Sequence, residues 1–479
     1  MYNESIIPAK KGLTVLAGDT ALHSRYDPAA EAAKYIDSLD LKPYKYFVLL
    51  EPGLGYLAAS LKNKFPPSTV ISLHCSSFFK SGTLSWNPSS GGTLDNFLEI
   101  VFSDADASDI KIIEWKPSIN AYGKACLELA SAAVECIRRI NAGRKTVRAF
   151  GKRWVKNAIN NISLLNRIIK IKQGSMPVLV CAAGPSLGDS INYITAWKNS
   201  PSPPFIIAVS SAAPALLYNG ITPDSIITTD GGSWANFHLY ECFRHCGNNA
   251  AVKPVIASSL TAILPSQIND FPALIIRDGS IWQDVLLQAA GILQYSPGFP
   301  QRGTVSASAL DTAYFLSNGE IYICGMDLSH RDLLTHTRPH AFEKIPEQKQ
   351  CRKNPYYSQI FEREETIRSS GSHDIYAAWF TSHLASFPRL HTLGESKYGI
   401  PSGKPPKNKP VEKVQFTVHG INNKLSKIHC IEVLQNAMDN SPVAEKLGRE
   451  LAELLLPGKP AESIKTSEIK KALMELTDG

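Results

Sequence analysis

Pro177-Val178-Leu179-Val180-Cys181-Ala182-Ala183-Gly184-Pro185-Ser186-Leu187 decides how this chain is read. The apolar run is too short for a helix and is bounded by a Gly-Pro-Ser turn. Ile191, Ile194 and Trp197 then take up a helical period. Buried strand, tight turn and helix form one half of a βαβ unit. The turn directs backbone N–H groups and a hydroxyl outward from the positive end of the helix dipole, an arrangement that suits a phosphate.

The pattern recurs. Phe205-Ile206-Ile207-Ala208-Val209 is a second buried strand, ending in Ser210 and Ser211. Asn219-Gly220-Ile221-Thr222-Pro223-Asp224 is a turn, and Ser225-Ile226-Ile227-Thr228-Thr229 is a third strand, ending in Asp230-Gly231-Gly232. Arg302-Gly303-Thr304-Val305 opens a helix through Tyr314, followed by Ile321-Tyr322-Ile323-Cys324-Gly325-Met326-Asp327-Leu328. In order and wording these segments resemble the central domain of bacterial motility accessory factors, flagellin glycosyltransferases also known as hydroxymethylpterin diphosphokinase-like. The layout is also similar to that of bacterial CMP-sialic acid sialyltransferases, which carry Asn-Gly-Pro-Ser where this chain has Ala183-Gly184-Pro185-Ser186. The resemblance covers roughly residues 150–345.

Composition bounds the alternatives. Hydrophobic residues at 44% and charged ones at 19% describe a globular chain rich in buried strands, and 479 residues exceed one ordinary core. The net charge of +7 suits an anionic substrate without demanding nucleic acid, and no aromatic or arginine-dense nucleic-acid motif is present. None of the nine cysteines stands in C-x-x-C spacing. Cys242 and Cys246, near His238 and His245, lack a second paired half, so no metal site is expected. Scattered thiols fit a reducing compartment. The start Met-Tyr-Asn-Glu-Ser-Ile-Ile-Pro has no signal-peptide pattern, and no apolar run is long enough to span a bilayer. A cytoplasmic protein with no membrane partner is expected.

The expected fold class is α/β: a central Rossmann-like, mostly parallel sheet domain with a smaller N-terminal α/β domain and a C-terminal helical domain. Residues 1–120 read as the N-terminal domain. Within it, Tyr46–Leu50 and Thr69–His74 flank the turn Glu51-Pro52-Gly53-Leu54-Gly55. That turn lacks a third glycine and a ribose-binding acid, His74-Cys75 standing in the acid's place, and reads as a tight turn supporting the sheet. Residues 121–175 read as a basic helical connector, whose Arg138, Arg139, Arg144, Lys145, Arg148, Lys152, Arg153 and Lys156 are a solvated helix face or, secondarily, a basic lip that attracts an anionic donor. The central domain is 176–345, with strands at 178–182, 205–210, 225–230, 254–258, 273–277 and 320–325. Residues 346–413 are irregular, with a Gly/Pro/Lys linker at Lys397–Lys413. Residues 414–479 form three helices, whose stripes Ile428, Ile431, Leu434 and Val443, Leu447, Leu451 are candidates for docking a partner or a second copy. A chain ending near residue 400 is accordingly expected to keep its donor chemistry.

Ligands of open α/β sheets sit beyond the carboxyl ends of the strands. The expected nucleotide contacts are therefore Gly184, Pro185, Ser186, Ser210, Ser211, Asp230, Gly231, Gly303 and Thr304. Gly184 is read as the close approach to phosphate, so that valine there removes donor binding and leaves the fold. Asp327 is a catalytic candidate or a carboxylate that fixes its loop. His330, His336 and His340, with Arg331 and Arg338, crowd one loop after that strand; histidine suits a general base and arginine an anion clamp. The resemblance implies transfer of a nonulosonic acid from its CMP-activated form to Ser/Thr of flagellin, with inversion, a histidine base and no cofactor. The rival is a 6-hydroxymethylpterin pyrophosphokinase, which uses ATP with Mg²⁺; a third reading is a non-catalytic flagellin chaperone.

Overall fold

The computed structural model describes residues 3–80, 82–102, 105, 107–233, 235–246, 255–262, 272–300, 302–329, 331, 334–369, 372–395, 398–405, 411–459 and 463–477. They fall into two compact units, Met1–Ala149 and Phe150–Gly479. The division lies inside one helix, Lys124–Leu164.

In the first unit, β1 (Glu4–Ala9), β2 (Gly12–Ala17) and β3 (Thr20–Ala21) form an antiparallel sheet. β4 (Tyr46–Leu50), β5 (Thr69–Leu73), β6 (Ser85–Trp86) and β7 (Ile110–Glu114) form a parallel sheet in the order β6-β5-β4-β7. All of β4 is buried, as its unbroken apolar run requires. The helix Pro28–Ser38 has a capped start: Asp27 accepts the Ala30 N–H at 3.0 Å and Pro28 stands at the first helical position.

The turn after β4 closes on its own protein. Gly53 and Gly55 adopt φ of 67° and 86°, and a Cβ at Gly53 would lie 2.7 Å from His23 Nε2. The His23 ring sits 5.2 Å from Tyr56 and 5.3 Å from Trp115. Buried Glu51 meets His74 Nδ1 at 2.9 Å and accepts the Cys75 N–H at 2.6 Å. The supporting-turn reading fits this packing.

The second unit is built on one nine-stranded sheet in the order β15-β14-β9-β10-β11-β12-β13-β8-β16. Its strands are β8 (Arg167–Lys172), β9 (Val178–Cys181), β10 (Phe205–Val209), β11 (Ser225–Thr228), β12 (Val255–Ser258), β13 (Ala273–Ile276), β14 (Ile321–Cys324), β15 (Leu390–Thr392) and β16 (Gln415–Gly420). Only β16 runs antiparallel to its neighbour. The six strands expected in the central domain are all present. β9 is the pivot: β10 to β13 step outward on one side, and the chain then crosses back to place β14 on the other. The carboxyl ends of β9 and β14 are thus the topological switch point.

Alternate residues feed two cores. Ile256, Leu274 and Ile276 face one core with Leu187, Ile194, Leu310 and Leu316, while Val255, Ala257, Ala273 and Ile275 face the other. That second core also receives Val155, Ile159 and Ile162, together with Ile431, Leu434, Leu447, Leu451 and Leu473 of the last three helices, Lys427–Asn440, Ala444–Leu455 and Thr466–Met474.

Three expectations change. The basic helical run stops at Leu164 and gives way to β8, because Arg167-Ile168-Ile169-Lys170-Ile171-Lys172 pairs along six positions with β16. The apolar stripes of the C-terminal helices are mostly buried in the unit's own core, with only Ile428 and Val443 exposed, so they offer no vacant docking face. A chain ending near residue 400 therefore loses β16 and half of a core. Lys397–Lys413, expected as a flexible linker, is stitched down where it is described: Glu412 O accepts the Ser175 and Met176 N–H groups at 2.9 and 3.1 Å, and Pro401 O accepts from Thr392.

Candidate functional site

The turn after β9 is occupied by the protein itself. Ser186, the first residue of the helix Ser186–Lys198, donates its N–H to Asp327 Oδ2 at 2.7 Å. The Asp327 carboxylate, on a residue 4% exposed, thus takes the positive end of the helix dipole that the sequence offers to a phosphate. Gly184 is glycine for the same reason: a Cβ there would lie 2.5 Å from both Asp327 Oδ2 and Gly325 O. Valine at 184 would collide with the chain's own carboxylate, so the expectation that it spares the fold is replaced by one of lost stability. Pro185 is buried and Ser186 half-buried. The Tyr398 hydroxyl donates to Asp327 O. Burial first, and then the Asp327 and Asp374 carboxylates, raise the Tyr398 phenol above its ordinary pKa.

The histidine loop is tied to this turn. Thr337 donates its N–H to Ala183 O at 2.8 Å and its hydroxyl to Gly184 O at 2.6 Å. Beside Thr337 the rings of His336 and His340 stack 4.3 Å apart. His340 is buried against His238 and Phe342, at 4.9 and 5.1 Å, whereas His336 is half-buried. His336 Nδ1 lies 3.0 Å from the Thr335 hydroxyl. His330 lies outside the described residues. The two arginines already hold carboxylates: Arg331 pairs with Asp189 at 2.6 Å and Arg338 with Glu343 at 2.5 Å. Their expected use as an anion clamp requires those pairs to open. His238, from the helix Ala235–Cys246, was singled out in the sequence only for its nearness to Cys242; the side chains of Cys242, His245 and Cys246 lie outside the described residues.

The remaining rim residues are spread along the sheet's carboxyl edge. Ser210 is buried and Ser211 half-buried at the end of β10. Asp230 is exposed and accepts the Gly232 N–H at 2.7 Å. A Cβ on Gly231 would meet the Trp154 ring at 2.5 Å. Gly303 has φ of 74°, and Thr304 caps the helix Val305–Leu316 by accepting the Ala307 N–H at 3.2 Å. The helix following β9 also borders a cavity of about 320 Å³, reached by Ser186, Asp189 and Arg331.

A larger opening lies beyond β11 and β12. This cleft of about 690 Å³ is lined by Lys152, Arg153 and Lys156 from one helix, with Asn157, Asn161 and Asn236. Its floor is built: Asn157 Nδ2 donates to Gly231 O and Leu260 O at 3.1 and 2.9 Å, and Asn161 Nδ2 to Ser259 O and Thr261 O at 3.0 and 2.8 Å. At the rim Glu475 pairs with Lys152 at 3.1 Å, and Arg153 lies 5.4 Å over the Phe150 ring. Lys152 and Arg153 are exposed, as a solvated face requires, and with half-buried Lys156 they also border this cleft.

Residues 152–332 match the family model described as 6-hydroxymethylpterin diphosphokinase MptE-like. An uncharacterized protein of Treponema pallidum (strain Nichols) is 30% identical over 281 residues, 58% of this chain and 59% of that protein. A second from the same organism is 24% identical over 207 residues, 39% of this chain and 70% of its own length. This chain therefore matches only 59% of the first relative's length. The solved structure of the Maf glycosyltransferase from Magnetospirillum magneticum AMB-1 aligns over 99% of this chain and 86% of its own, with a TM-score of 0.58 at 14% identity. The chain shares that protein's fold. The resemblance read from the AGPSL, TTDGG and IYICGMDL segments is thus met twice, by the family model in sequence and by the Maf protein in fold. The matched segment takes in the cleft cations and Asp327 and stops short of His336 and His340.

Proposed function

We propose that the chain is a protein O-glycosyltransferase that moves a nonulosonic acid of pseudaminic or legionaminic type from its CMP-activated form to Ser/Thr hydroxyls of flagellin in the cytoplasm. The carrying observation is the Thr337 strap, which fixes the His336–His340 stack beside the turn at the carboxyl end of the central strand. The fold shared with a glycosyltransferase supports the reaction class, and the sialyltransferase-like AGPS wording supports the donor. Among the described residues no helix is long and apolar enough to cross a membrane.

In this reading His336 is the base, since it combines partial exposure with a stacked neighbour. Its imidazole takes the acceptor hydroxyl proton as the oxygen bonds to the anomeric carbon. The bond from that carbon to the phosphate oxygen breaks, and CMP leaves with the electron pair, inverting the centre. His340, buried behind it, is a positioning residue.

The test is intact-mass analysis of flagellin incubated with the full chain and a CMP-activated nonulosonic acid. One or more sugar-mass additions are expected. The family-model description favours a second reading, transfer of pyrophosphate from ATP to a pterin alcohol. Pyrophosphorylated 6-hydroxymethylpterin from ATP and Mg²⁺, with unmodified flagellin, would decide for it.

A further inference from the structure

The donor's phosphate needs a place, and the expected one is filled. Asp327 already neutralises the helix end after β9, and a phosphate there would meet a buried carboxylate at close range. The cavity beside that turn is half the size of the cleft over β11 and β12, and its Arg331 is paired with Asp189. The larger cleft is lined by more cations: Lys152, which pairs with Glu475, and beside it Arg153 and Lys156 from the same helix. Its volume of about 690 Å³ lies within the range of small-molecule sites.

Polar groups suited to a base or ribose stand in the same cleft. Asn236 lines it, and its buried Oδ1 has no hydrogen-bond partner among the described residues. An acceptor left without a partner in a folded interior is costly unless a ligand donor reaches it. Asn236 opens the helix that also carries His238 against His340. One helix thus carries both a residue that lines the cleft and, two positions on, a ring packed on the histidine stack.

We infer that this cleft is the nucleoside-phosphate site: Arg153 and Lys156 hold the phosphate, and Asn236 Oδ1 accepts from an N–H or hydroxyl of the nucleoside. The identity of the nucleotide as CMP rests on the glycosyltransferase reading; the site itself does not. Its position over β11 and β12, away from the Gly184 turn, sets it apart from the site the sequence resemblance implies.

Isothermal titration of the full chain with CMP, cytidine and ATP tests the assignment. CMP is expected to bind more tightly than cytidine. Arg153→Glu and Lys156→Glu should each weaken CMP about tenfold or more, the scale of one charge-assisted contact. Arg153→Lys should restore most of the binding, and unliganded melting temperatures should stay unchanged. In the cavity beside Ser186, Arg331→Glu should leave CMP affinity as it was. Unchanged CMP binding in both cleft variants, loss in Arg331→Glu instead, or no nucleotide binding by the unsubstituted chain each overturns the inference. ATP binding without CMP binding, abolished by Arg153→Glu, keeps the cleft and removes the glycosyltransferase reading.

Discussion

The chain contains two glycine turns of one kind, and they teach different things. Both follow a fully buried central strand, β4 in the first unit and β9 in the second. Both have a glycine with no room for a Cβ, and in each the obstacle is an ionisable side chain of the protein: His23 against Gly53, and Asp327 against Gly184. In the first unit Glu51 beside the turn is bound to His74 and Cys75, and the His23 ring packs against Tyr56 and Trp115. In the second, a half-exposed histidine lies beside the filled turn, and a cationic cleft opens elsewhere in the unit, over β11 and β12. A glycine after a strand therefore reports close packing. A cluster of cations around open volume is the feature that suits a ligand.

The largest expected effect lies on the open side. His336→Ala should lower turnover about 10²-fold or more and leave CMP affinity unchanged, measured by steady-state transfer to flagellin and by titration. Normal turnover would make the histidine stack structural and bring the two units level. The matching change in the first unit, His74→Ala, leaves Glu51 buried without its ring partner. It should cost about 3 kcal/mol of stability in denaturant unfolding and nothing in donor binding.

Acid should strike the first unit selectively. Burial pushes the His23 imidazole from 6.5 down to about 4, against a weaker upward pull from its bond to Pro52 O. The unfolded chain thus binds a proton more readily than the folded one. The stability this neutral ring supports is complete above pH 6.5 and falls as pH drops toward 4, by about 3 kcal/mol in all. Hydrogen exchange of β4 amides, corrected for intrinsic rates, should show the loss, and His23→Gln should flatten it.

Gly184→Ala should cost about 2 kcal/mol through overpacking against Asp327 and Gly325 O, and less in an Asp327→Gly background. Lost nucleotide binding at unchanged stability would instead return the turn to a ligand role. The smallest effects are the caps. Thr93 and Thr304 each accept a helix N–H at 3.2 Å, so alanine at either should cost about 1 kcal/mol. A loss of CMP affinity in Thr304→Ala alone would show that its hydroxyl does more than cap.

The central strands were legible because a strand buried on both faces writes an unbroken apolar run, as in Phe205–Val209 and Tyr46–Leu50. β8 was not: Ile159, Ile162, Leu165 and Ile168 keep a helical spacing across the point where the helix ends. The Ser186 turn was visible as a turn, but its occupant stands 141 residues away, and no local pattern announces it. Lys152, Arg153 and Lys156 were visible as a charged face. That they overhang a cleft depends on Asn157 and Asn161 binding loops about a hundred residues further on.

The pairing of β8 with β16 also has a consequence in time. β8 touches β13 through a single partnered position, Ile168 with Ala273, and lies along β16 over six. During synthesis β8 emerges some 245 residues before the strand that covers it. Until then its backbone is an open edge, able to recruit any extended chain nearby. Ribosomes that stall anywhere in that interval release a polypeptide with its central strands made and one flank unzipped. The edge is thus exposed on incomplete copies and covered on finished ones.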